Sequence, residues 1–100
     1  MSLAVLVKPE AEADTREAYT WYEAKRPGLG DEFLLCLEAA IETARREPEA
    51  CPTVHGAVRR AFTKRFPDGV FFVRESEVIV VHAVYHAARN PRGWQGRAES

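Results

Sequence analysis

The sequence predicts an α+β fold in which an antiparallel sheet carries a hairpin of two helices on one face. Three observations support this fold class. Residues 10–46 contain two stretches of helical periodicity separated by a turn, and residues 58–86 contain three strand-like runs separated by short connections. A short apolar run at residues 2–8 precedes both regions. The predicted order is therefore β-α-α-β-β-β, in which the sheet covers the apolar faces of the helices.

The length of the chain sets the expected domain organisation. One hundred residues suffice for one hydrophobic core but not for two, so we expect a single domain over residues 1–100, with residues 93–100 as a flexible tail. No apolar run reaches the roughly 18 residues that span a bilayer. Residues 1–10 are too short for a signal peptide with its cleavage site. We therefore expect a cytoplasmic protein that has no membrane partner.

Charge is distributed unevenly along the chain, although the net charge is only −1. Residues 1–50 contain 6 Lys and Arg against 11 Asp and Glu, whereas residues 51–100 contain 8 against 4, so the halves carry −5 and +4. A basic half can attract a polyanion or an acidic protein segment. The alternative is that these charges pair with each other across the fold.

The first helix is predicted over residues 10–25, after a first strand at residues 2–8. Pro9 suits the first turn of a helix, and the negative charges of Glu10, Glu12 and Asp14 suit its N-terminus. Aromatic residues at helical spacing are more typical of a core than of a base-stacking surface, so we expect Trp21 and Tyr22 to be buried. The helical spacing runs through Ala11, Ala18, Trp21, Tyr22 and Lys25.

A second helix is predicted over residues 31–46. The preceding sequence RPGLG, residues 26–30, cannot continue a helix because proline lacks an N–H donor and the glycines favour a turn. Arg45 and Arg46 suit the last turn of the second helix, and Pro48 stops it. Its apolar stripe comprises Phe33, Leu37, Ala40, Ile41 and Ala44, with Leu34 beside it.

The second half of the chain is predicted to form a loop and then an antiparallel meander. Residues 47–56 contain two prolines, a glycine and His55, a composition typical of a loop. Turn signals at residues 67–69 and 75–77 separate the strand-like runs that follow. The predicted strands are residues 58–66, residues 70–74 and a run that begins at Val78.

Four cations belong to the first strand of this meander. Alternation places Arg60 and Lys64 on one face of the strand, and Arg59 and Arg65 on the other. Because the helices cover one face of the sheet, the other face is predicted to be a shallow basic surface.

The last strand is strongly apolar, and its polar residues collect at its C-terminal end. Alternation places Val78, Val80, His82, Val84 and His86 on one face, and Ile79, Val81, Ala83 and Tyr85 on the other. Both faces are largely apolar, which is typical of a central strand. Basic side chains follow at His86, Arg89, Arg92 and Arg97.

Several short motifs occur together and in order along the chain. They are Pro27-Gly28-Leu29-Gly30 followed by Phe33, Val58-Arg59-Arg60, Arg65-Phe66-Pro67, and His86-x-x-Arg89-Asn90-Pro91-x-x-Trp94. As a set they resemble the RelE/ParE superfamily of toxins from bacterial type II toxin–antitoxin pairs, which includes plasmid stabilisation proteins. The resemblance implies the fold predicted above and a cognate antitoxin as partner. It also implies one of two activities, because RelE-like members cut mRNA on the ribosome and ParE-like members inhibit DNA gyrase.

The sequence departs from the superfamily pattern at positions that matter for a nuclease. Asp68 and Phe72 stand where the family often has tyrosine, and Ala88 stands where the usual motif has a second arginine beside Arg89. No tyrosine follows Tyr85. These departures count against the nuclease and favour the ParE-like interpretation.

Cleavage of RNA through its own 2′-hydroxyl needs a base, an acid and positive charge at the phosphate. If the chain is a nuclease, the catalytic candidates are Arg89, His86 and Lys64. His82 and His86 cannot act as a pair on one phosphate, because residues four apart on a strand are about 13 Å apart. The sequence has no metal-binding or nucleotide-binding motif, and Cys36 and Cys51 have neither a metal-ligand nor a redox spacing, so no cofactor is expected.

The sequence therefore leaves three candidate functions. The first is a ParE-like toxin that binds a large target such as DNA gyrase. The second is a RelE-like endoribonuclease that acts on mRNA at the ribosome, and the third is a degenerate toxin that retains only antitoxin binding. The residues expected to bind a target or the antitoxin are Arg59, Arg60, Arg65, Arg89 and Trp94.

Overall fold

The structure is a computed structural model, and it describes residues 3–86. Within that range the chain forms five strands, two α-helices and one short 3₁₀ helix. The elements are β1 (Ala4–Val7), α1 (Pro9–Lys25), α2 (Leu29–Arg46), the 3₁₀ helix (Pro48–Ala50), β2 (Thr53–His55), β3 (Val58–Phe62), β4 (Asp68–Glu75) and β5 (Val78–His86). The predicted tail at residues 93–100, and the predicted site residues Arg89 and Trp94, lie outside the described residues.

The strands form one sheet in the order β1-β5-β4-β3-β2, with the helical hairpin packed on one face. This confirms the predicted α+β fold class and the antiparallel meander of β3, β4 and β5. The sheet is mixed rather than wholly antiparallel, because β1 pairs with β5 in parallel, from Ala4 opposite Val78 to Val7 opposite Val81. The two helices form the long connection that a parallel pairing requires. β5 is a central strand, as its two apolar faces predict.

The structure differs from the prediction in two stretches, of which one was predicted as a loop and the other as a strand. The predicted loop at residues 47–56 contains the 3₁₀ helix and β2, a short strand that pairs with β3. The strand predicted to reach residue 66 ends at Phe62, so Lys64 and Arg65 lie in a turn. Thr63 closes this turn, because its hydroxyl donates to the carbonyl oxygen of Asp68 at 2.7 Å and its N–H donates to the same oxygen at 3.2 Å. Alternation of cations and aromatics continues through the turn, which explains why the pattern resembles a longer strand.

The RPGLG turn joins the helices, and the Glu23 carboxylate holds it by hydrogen bonds to two glycine N–H groups. Gly28 has a φ of +90°, a conformation that glycine adopts without strain. The Glu23 carboxylate accepts the N–H groups of Gly28 at 3.0 Å and Gly30 at 2.9 Å, and so satisfies donors at the start of α2. A side chain at Gly30 would lie 2.8 Å from the Tyr19 ring. α2 therefore begins at Leu29, two residues before the predicted start.

The main core lies between the helices and the sheet. Its aromatic part is a cluster of Tyr22, Phe33 and Phe66, with ring centroids 4.9 to 5.5 Å apart. The apolar stripe predicted for α2 is confirmed, since Phe33 and its companions at helical spacing are buried or partly buried. The expectation of burial holds for Tyr22 but is wrong for Trp21, which is 53% exposed and lies beneath the Lys25 ammonium.

The alternation predicted for β5 breaks at His82. A register shift leaves β4 residues Phe71 and Phe72 opposite Ala83 and Val81, with one extra residue on β5. As a result Val84 joins Ile79 and Val81 in the main core, while Ala83 lies on the other face. The displaced N–H of Val84 donates to the buried Asp14 carboxylate of α1 at 3.1 Å.

Candidate functional site

Several predicted site residues meet at one end of the sheet, formed by the β3–β4 turn and the C-terminal end of β5. Asp68, the first residue of β4, is paired in register with His86, the last residue of β5. The turn just before Asp68 carries Lys64 and Arg65. Lys64 and Arg65 are about twenty positions from His86 in the sequence. The structure therefore brings residues that are distant in sequence to the same end of the sheet. Lys64 and Arg65 are exposed, and His86 is half-buried.

Arg65 is held in an ion-pair cluster with α2. Its backbone has a φ of +71°, and its guanidinium donates to Glu32 at 2.9 Å. Arg26 donates to the second oxygen of the same carboxylate at 3.0 Å. The hydrogen bonds from Arg26 and then Arg65 hold the pKa of Glu32 below its ordinary value. Because all three side chains are solvent-accessible, this cluster fixes the direction of the turn more than it stabilises the fold.

Beneath the turn lies a buried hydrogen bond between α1 and β4. The Tyr22 hydroxyl donates to Asp68 Oδ1 at 2.5 Å, and both residues are buried. Asp68 is one of the departures from the superfamily pattern, and here its carboxylate serves as the acceptor for a core tyrosine. The contact anchors the start of β4, and with it the turn that carries Lys64 and Arg65.

Arg59 and Arg60 point to opposite faces of the sheet, as the alternation predicts. Arg59 lies on the helical side, where its Nη1 donates to the carbonyl oxygens of Cys51 at 2.6 Å and Glu49 at 3.5 Å. Arg74 reaches the same region and pairs with the Glu49 carboxylate. Arg59 therefore ties the 3₁₀ helix to β3, and this structural contact occupies the guanidinium that the sequence suggests for partner binding.

Arg60 lies flat across the face of the sheet that is turned away from the helices. Its guanidinium carbon is 4.2 Å from the centroid of the Phe62 ring. Its stem passes over Gly69, where an added Cβ would be 3.0 Å from the arginine Cγ and Cδ. Within residues 3–86 the buried Nε finds no hydrogen-bond acceptor. The arginine is thus held in one orientation by stacking.

The face that carries Arg60 differs from the shallow basic surface that was predicted. Its centre is a small apolar cluster of Val58, Phe71 and Ala83, each almost fully buried, with Val54, Val73 and Tyr85 against it. Arg59 and Arg74 contact the 3₁₀ helix on the other side of the sheet, and Lys64 and Arg65 lie in the turn. The cations of β3, β4 and the turn between them are therefore divided between the two sides of the sheet and the turn.

The two histidines of β5 have different surroundings. His82 is buried at the bulge, and burial followed by the nearby Lys8 ammonium lowers the pKa of its imidazole. His86 ends the strand beside Asp68. That the two cannot act on one phosphate stays a prediction.

Sequence reasoning missed the buried polar contacts that position this end of the sheet. Asp14 was assigned to the helix N-terminus, yet it falls at helical spacing between Ala11 and Ala18 on the buried face of α1. That spacing was the available signal for a buried carboxylate. The Tyr22 contact with Asp68 spans 46 positions and had no local signal.

No group of three or more His, Cys, Asp or Glu side chains among residues 3–86 is arranged to hold a metal ion. Over the same range, neither α1 nor α2 has both the length and the apolar character needed to cross a bilayer.

One known protein family matches almost all of the chain. The family model described as the ParE toxin of the type II toxin-antitoxin system, parDE, matches residues 5–91. The chain belongs to the ParE toxin family. This confirms the resemblance to the RelE/ParE superfamily that the motifs indicate, and it makes the chain a member of a toxin family of type II toxin–antitoxin systems.

A solved structure shares the fold of this ParE-family chain. It is described as the chromosomal ParDE TA system from P. aeruginosa. The two chains superpose with a TM-score of 0.75 at 15% sequence identity, over 85% of this chain and 96% of that chain. At this identity the likeness concerns the fold. No curated protein matches the chain.

Proposed function

We propose that this chain is the toxin of a type II toxin–antitoxin pair, that it arrests growth by binding DNA gyrase, and that a cognate antitoxin neutralises it. The observation that carries the proposal is the match to the ParE toxin model, which covers both helices and, apart from Ala4, all five strands. The ParDE toxin–antitoxin description of the structural relative supports an antitoxin partner here. Gyrase is cytoplasmic, so the proposal also places the chain in the cytoplasm.

A binding role suits the distribution of cations in the described region. A ribonuclease needs an acid, a base and positive charge within hydrogen-bond reach of one phosphate. Here Arg65 is engaged by Glu32, Arg59 is engaged by backbone carbonyls, and Arg60 is stacked on Phe62 on the far face of the sheet. Cations spread in this way favour contact with a large partner over the chemistry of a single phosphate.

A RelE-like ribonuclease is the second candidate function, and one observation favours it. Lys64 and His86 lie at the same end of the sheet, and Arg89 follows three residues after β5 in sequence. A degenerate toxin that retains only antitoxin binding is the third candidate, because position 88 is an alanine where the superfamily motif has an arginine.

The decisive experiment compares the two activities with the same purified protein. Gyrase is incubated with relaxed plasmid and rising concentrations of the chain, and supercoiling is followed on gels. In parallel, 5′ ends are mapped on a reporter mRNA in a cell-free translation reaction. We expect supercoiling to be inhibited and the mRNA to stay intact. New 5′ ends on translated message, with normal supercoiling, would replace the proposal with the ribonuclease.

The Arg89→Ala variant separates a contact residue from a catalytic one. A gyrase contact is one of several, so the variant should weaken inhibition about tenfold, which corresponds to one lost charged hydrogen bond. Loss of all cleavage in the same variant would instead mark Arg89 as catalytic. An inhibition curve identical to that of the wild type would remove Arg89 from the site.

A further inference from the structure

We propose that β1 is a self-association edge, at which two copies of this chain pair antiparallel from Leu3 to Val7 and join their sheets into one continuous sheet. This pairing does not depend on the proposed function, because the features that support it belong to β1 and its immediate neighbours.

β1 is an edge strand with exposed apolar side chains. It is the outermost strand in the sheet order, and among residues 3–86 its one paired strand is β5. Val5 is 37% exposed and Leu6 is 51% exposed, and Ala4 is exposed as well. Edge strands usually carry a charge or a proline that prevents pairing with another chain, but the sequence of β1, AVLV, has neither. β1 is therefore open to the addition of a further strand.

The hydrogen bonds of β1 show which of its backbone groups face outward. The N–H groups of Ala4 and Lys8 both donate to carbonyl oxygens on the β5 side of the strand, each at 3.0 Å. Because backbone groups alternate in direction along a strand, those of Val5 and Val7 point away from β5. These outward N–H and C=O groups are the donors and acceptors that a second strand needs.

The carbonyl oxygen of Leu3 extends this outward row by one residue. Arg45 Nη1 of α2 donates to it at 3.5 Å, which agrees with an oxygen that faces away from β5. This contact is long, and a carbonyl oxygen can accept two hydrogen bonds. Arg45 is also held by Glu42 of the same helix. The Leu3 oxygen is therefore able to accept a bond from a second strand.

The outward groups define a register in which β1 pairs with itself. In an antiparallel sheet, two residues that face each other can exchange both of their backbone hydrogen bonds. A twofold axis at Val5 places this residue opposite its own copy, and it places Leu3 opposite Val7 of the second copy. Each residue with outward backbone groups then has a partner with outward backbone groups. The contact is closed and symmetric, as in most soluble homodimers.

The side chains of β1 also fit this register on both faces of the sheet. Leu3 and Val7 pack against the main core on the helical face, so Ala4 and Leu6 lie on the other face. There the large Leu6 lies opposite the small Ala4 of the second copy. On the helical face, Val7 lines a depression of about 390 Å³ together with Ile41 of α2. Leu3 of the second copy lies opposite Val7 and can contact this depression.

Charge favours the antiparallel arrangement and a second copy of this chain. Each Lys8 lies three positions from the axis at Val5, on opposite sides, so the two ammonium groups are about 20 Å apart. A parallel arrangement would bring them together. An acidic or basic partner segment would find no charge to pair with on β1, whereas an identical apolar strand matches it. One strand pair is a small interface, so we expect a reversible dimer with a dissociation constant in the micromolar range.

The test follows sedimentation of the full-length chain across the micromolar range, where we expect a shift from monomer to dimer as the concentration rises. Val5→Lys places two like charges opposite each other at the axis and should weaken the dimer at least about tenfold. Leu35→Lys is the matched control, because Leu35 is 68% exposed on α2 and lies beside Phe62 of β3, away from β1. The control should stay within about twofold of the wild type.

A mixture of Val5→Lys and Val5→Glu chains tests the register itself. Neither variant should dimerise alone, but the mixture should associate, because opposite charges then face each other across the axis. Circular dichroism establishes that each variant is folded. Amide hydrogen exchange of the wild type gives an independent readout. The Val5 and Val7 N–H groups should exchange more slowly as the concentration rises, whereas the Leu6 N–H, which faces β5, should not change.

Three results would overturn the proposal. The first is a wild-type chain that stays monomeric throughout the micromolar range. The second is a dimer that persists in Val5→Lys, or that Leu35→Lys weakens to the same extent, because β1 would then not form the interface. The third is a mixture of the two Val5 variants that stays monomeric while both chains are folded, which would contradict the register centred on this residue.

Discussion

At the scale of single residues, buried polar side chains position the end of the sheet that carries Lys64, Arg65 and His86. The Tyr22 hydroxyl and the Asp68 carboxylate form a hydrogen bond inside the core, and Asp14 accepts the Val84 N–H beneath the bulge. Burying a carboxylate is costly unless donors surround it. These buried contacts therefore help to control where Lys64, Arg65 and His86 lie.

Tyr22→Phe tests the first of these contacts. Removing the hydroxyl leaves the Asp68 carboxylate buried without this donor, which should lower the free energy of unfolding by about 1–3 kcal/mol. Urea denaturation measures the change. Tyr19→Phe is the control, because that hydroxyl lies at the surface near Asp31, and its removal should cost less than about 0.5 kcal/mol. Equal losses in the two variants would contradict the structural role of the Tyr22 contact.

His82 makes stability depend on pH in a direction that the structure fixes. Burial lowers the pKa of its imidazole below the ordinary value of 6.5, so the unfolded chain binds a proton more readily than the folded one. The contribution of His82 to the free energy of unfolding is therefore favourable at neutral pH and is lost as the pH falls below 6.5. His82→Gln should reduce the loss of unfolding free energy between about pH 7.5 and about pH 5.5. An unchanged pH dependence in the variant would contradict this role.

At the scale of elements, the bulge in β5 joins the sheet to α1. The extra residue at His82 moves Val84 into the main core and turns its N–H towards Asp14. The last residues of β5 then continue in the shifted alternation, which ends with His86 beside Asp68. The bulge therefore determines which face of the sheet the predicted histidine occupies.

Asp14→Ala is expected to destabilise this junction. The Val84 N–H would remain buried without an acceptor, at a cost of about 1–3 kcal/mol in the free energy of unfolding. Asp14→Asn keeps an oxygen acceptor at the same place and should recover a large part of that loss. Thermal unfolding of both variants measures the difference. If Asp14→Asn were as damaging as Asp14→Ala, the negative charge rather than the hydrogen bond would be responsible.

The elements also show what the sequence can and cannot predict. The helical hairpin follows from local signals, namely the apolar stripe with Phe33 on α2 and the RPGLG turn. The opposite faces of Arg59 and Arg60 follow from strand alternation. The parallel partner of β1 and the bulge at His82 depend on long-range pairing, which leaves no periodicity to detect. The β3–β4 turn was predicted at residues 67–69, later than it occurs, because the residues after Phe62 continue a strand-like alternation.

At the scale of the candidate site, sequence reasoning named residues that the fold brings to one end of the sheet, but it did not predict the contacts that their side chains make. Lys64, Arg65 and His86 do lie at that end. The pairing of Arg65 with Glu32 was not predictable, because it joins positions 33 residues apart across the helical layer.

At the scale of the whole molecule, the fold separates an enclosed core from an exposed edge of the sheet. The hairpin and sheet enclose the main core, while the edge of β3 and the turn before β4 expose Phe62, Lys64 and Arg65. Exposed apolar side chains next to cations are typical of a surface that contacts another protein. Because the chain belongs to the ParE toxin family, the proposed partner of this toxin is an antitoxin.

The most direct test is growth of cells that carry the chain under an inducible promoter, alone or together with the gene of its proposed antitoxin. The proposed function predicts that induction of the chain alone stops growth and that co-expression of the antitoxin restores it. Normal growth after induction, with the folded chain present at the same level, would contradict a toxin and leave a protein that only binds its partner.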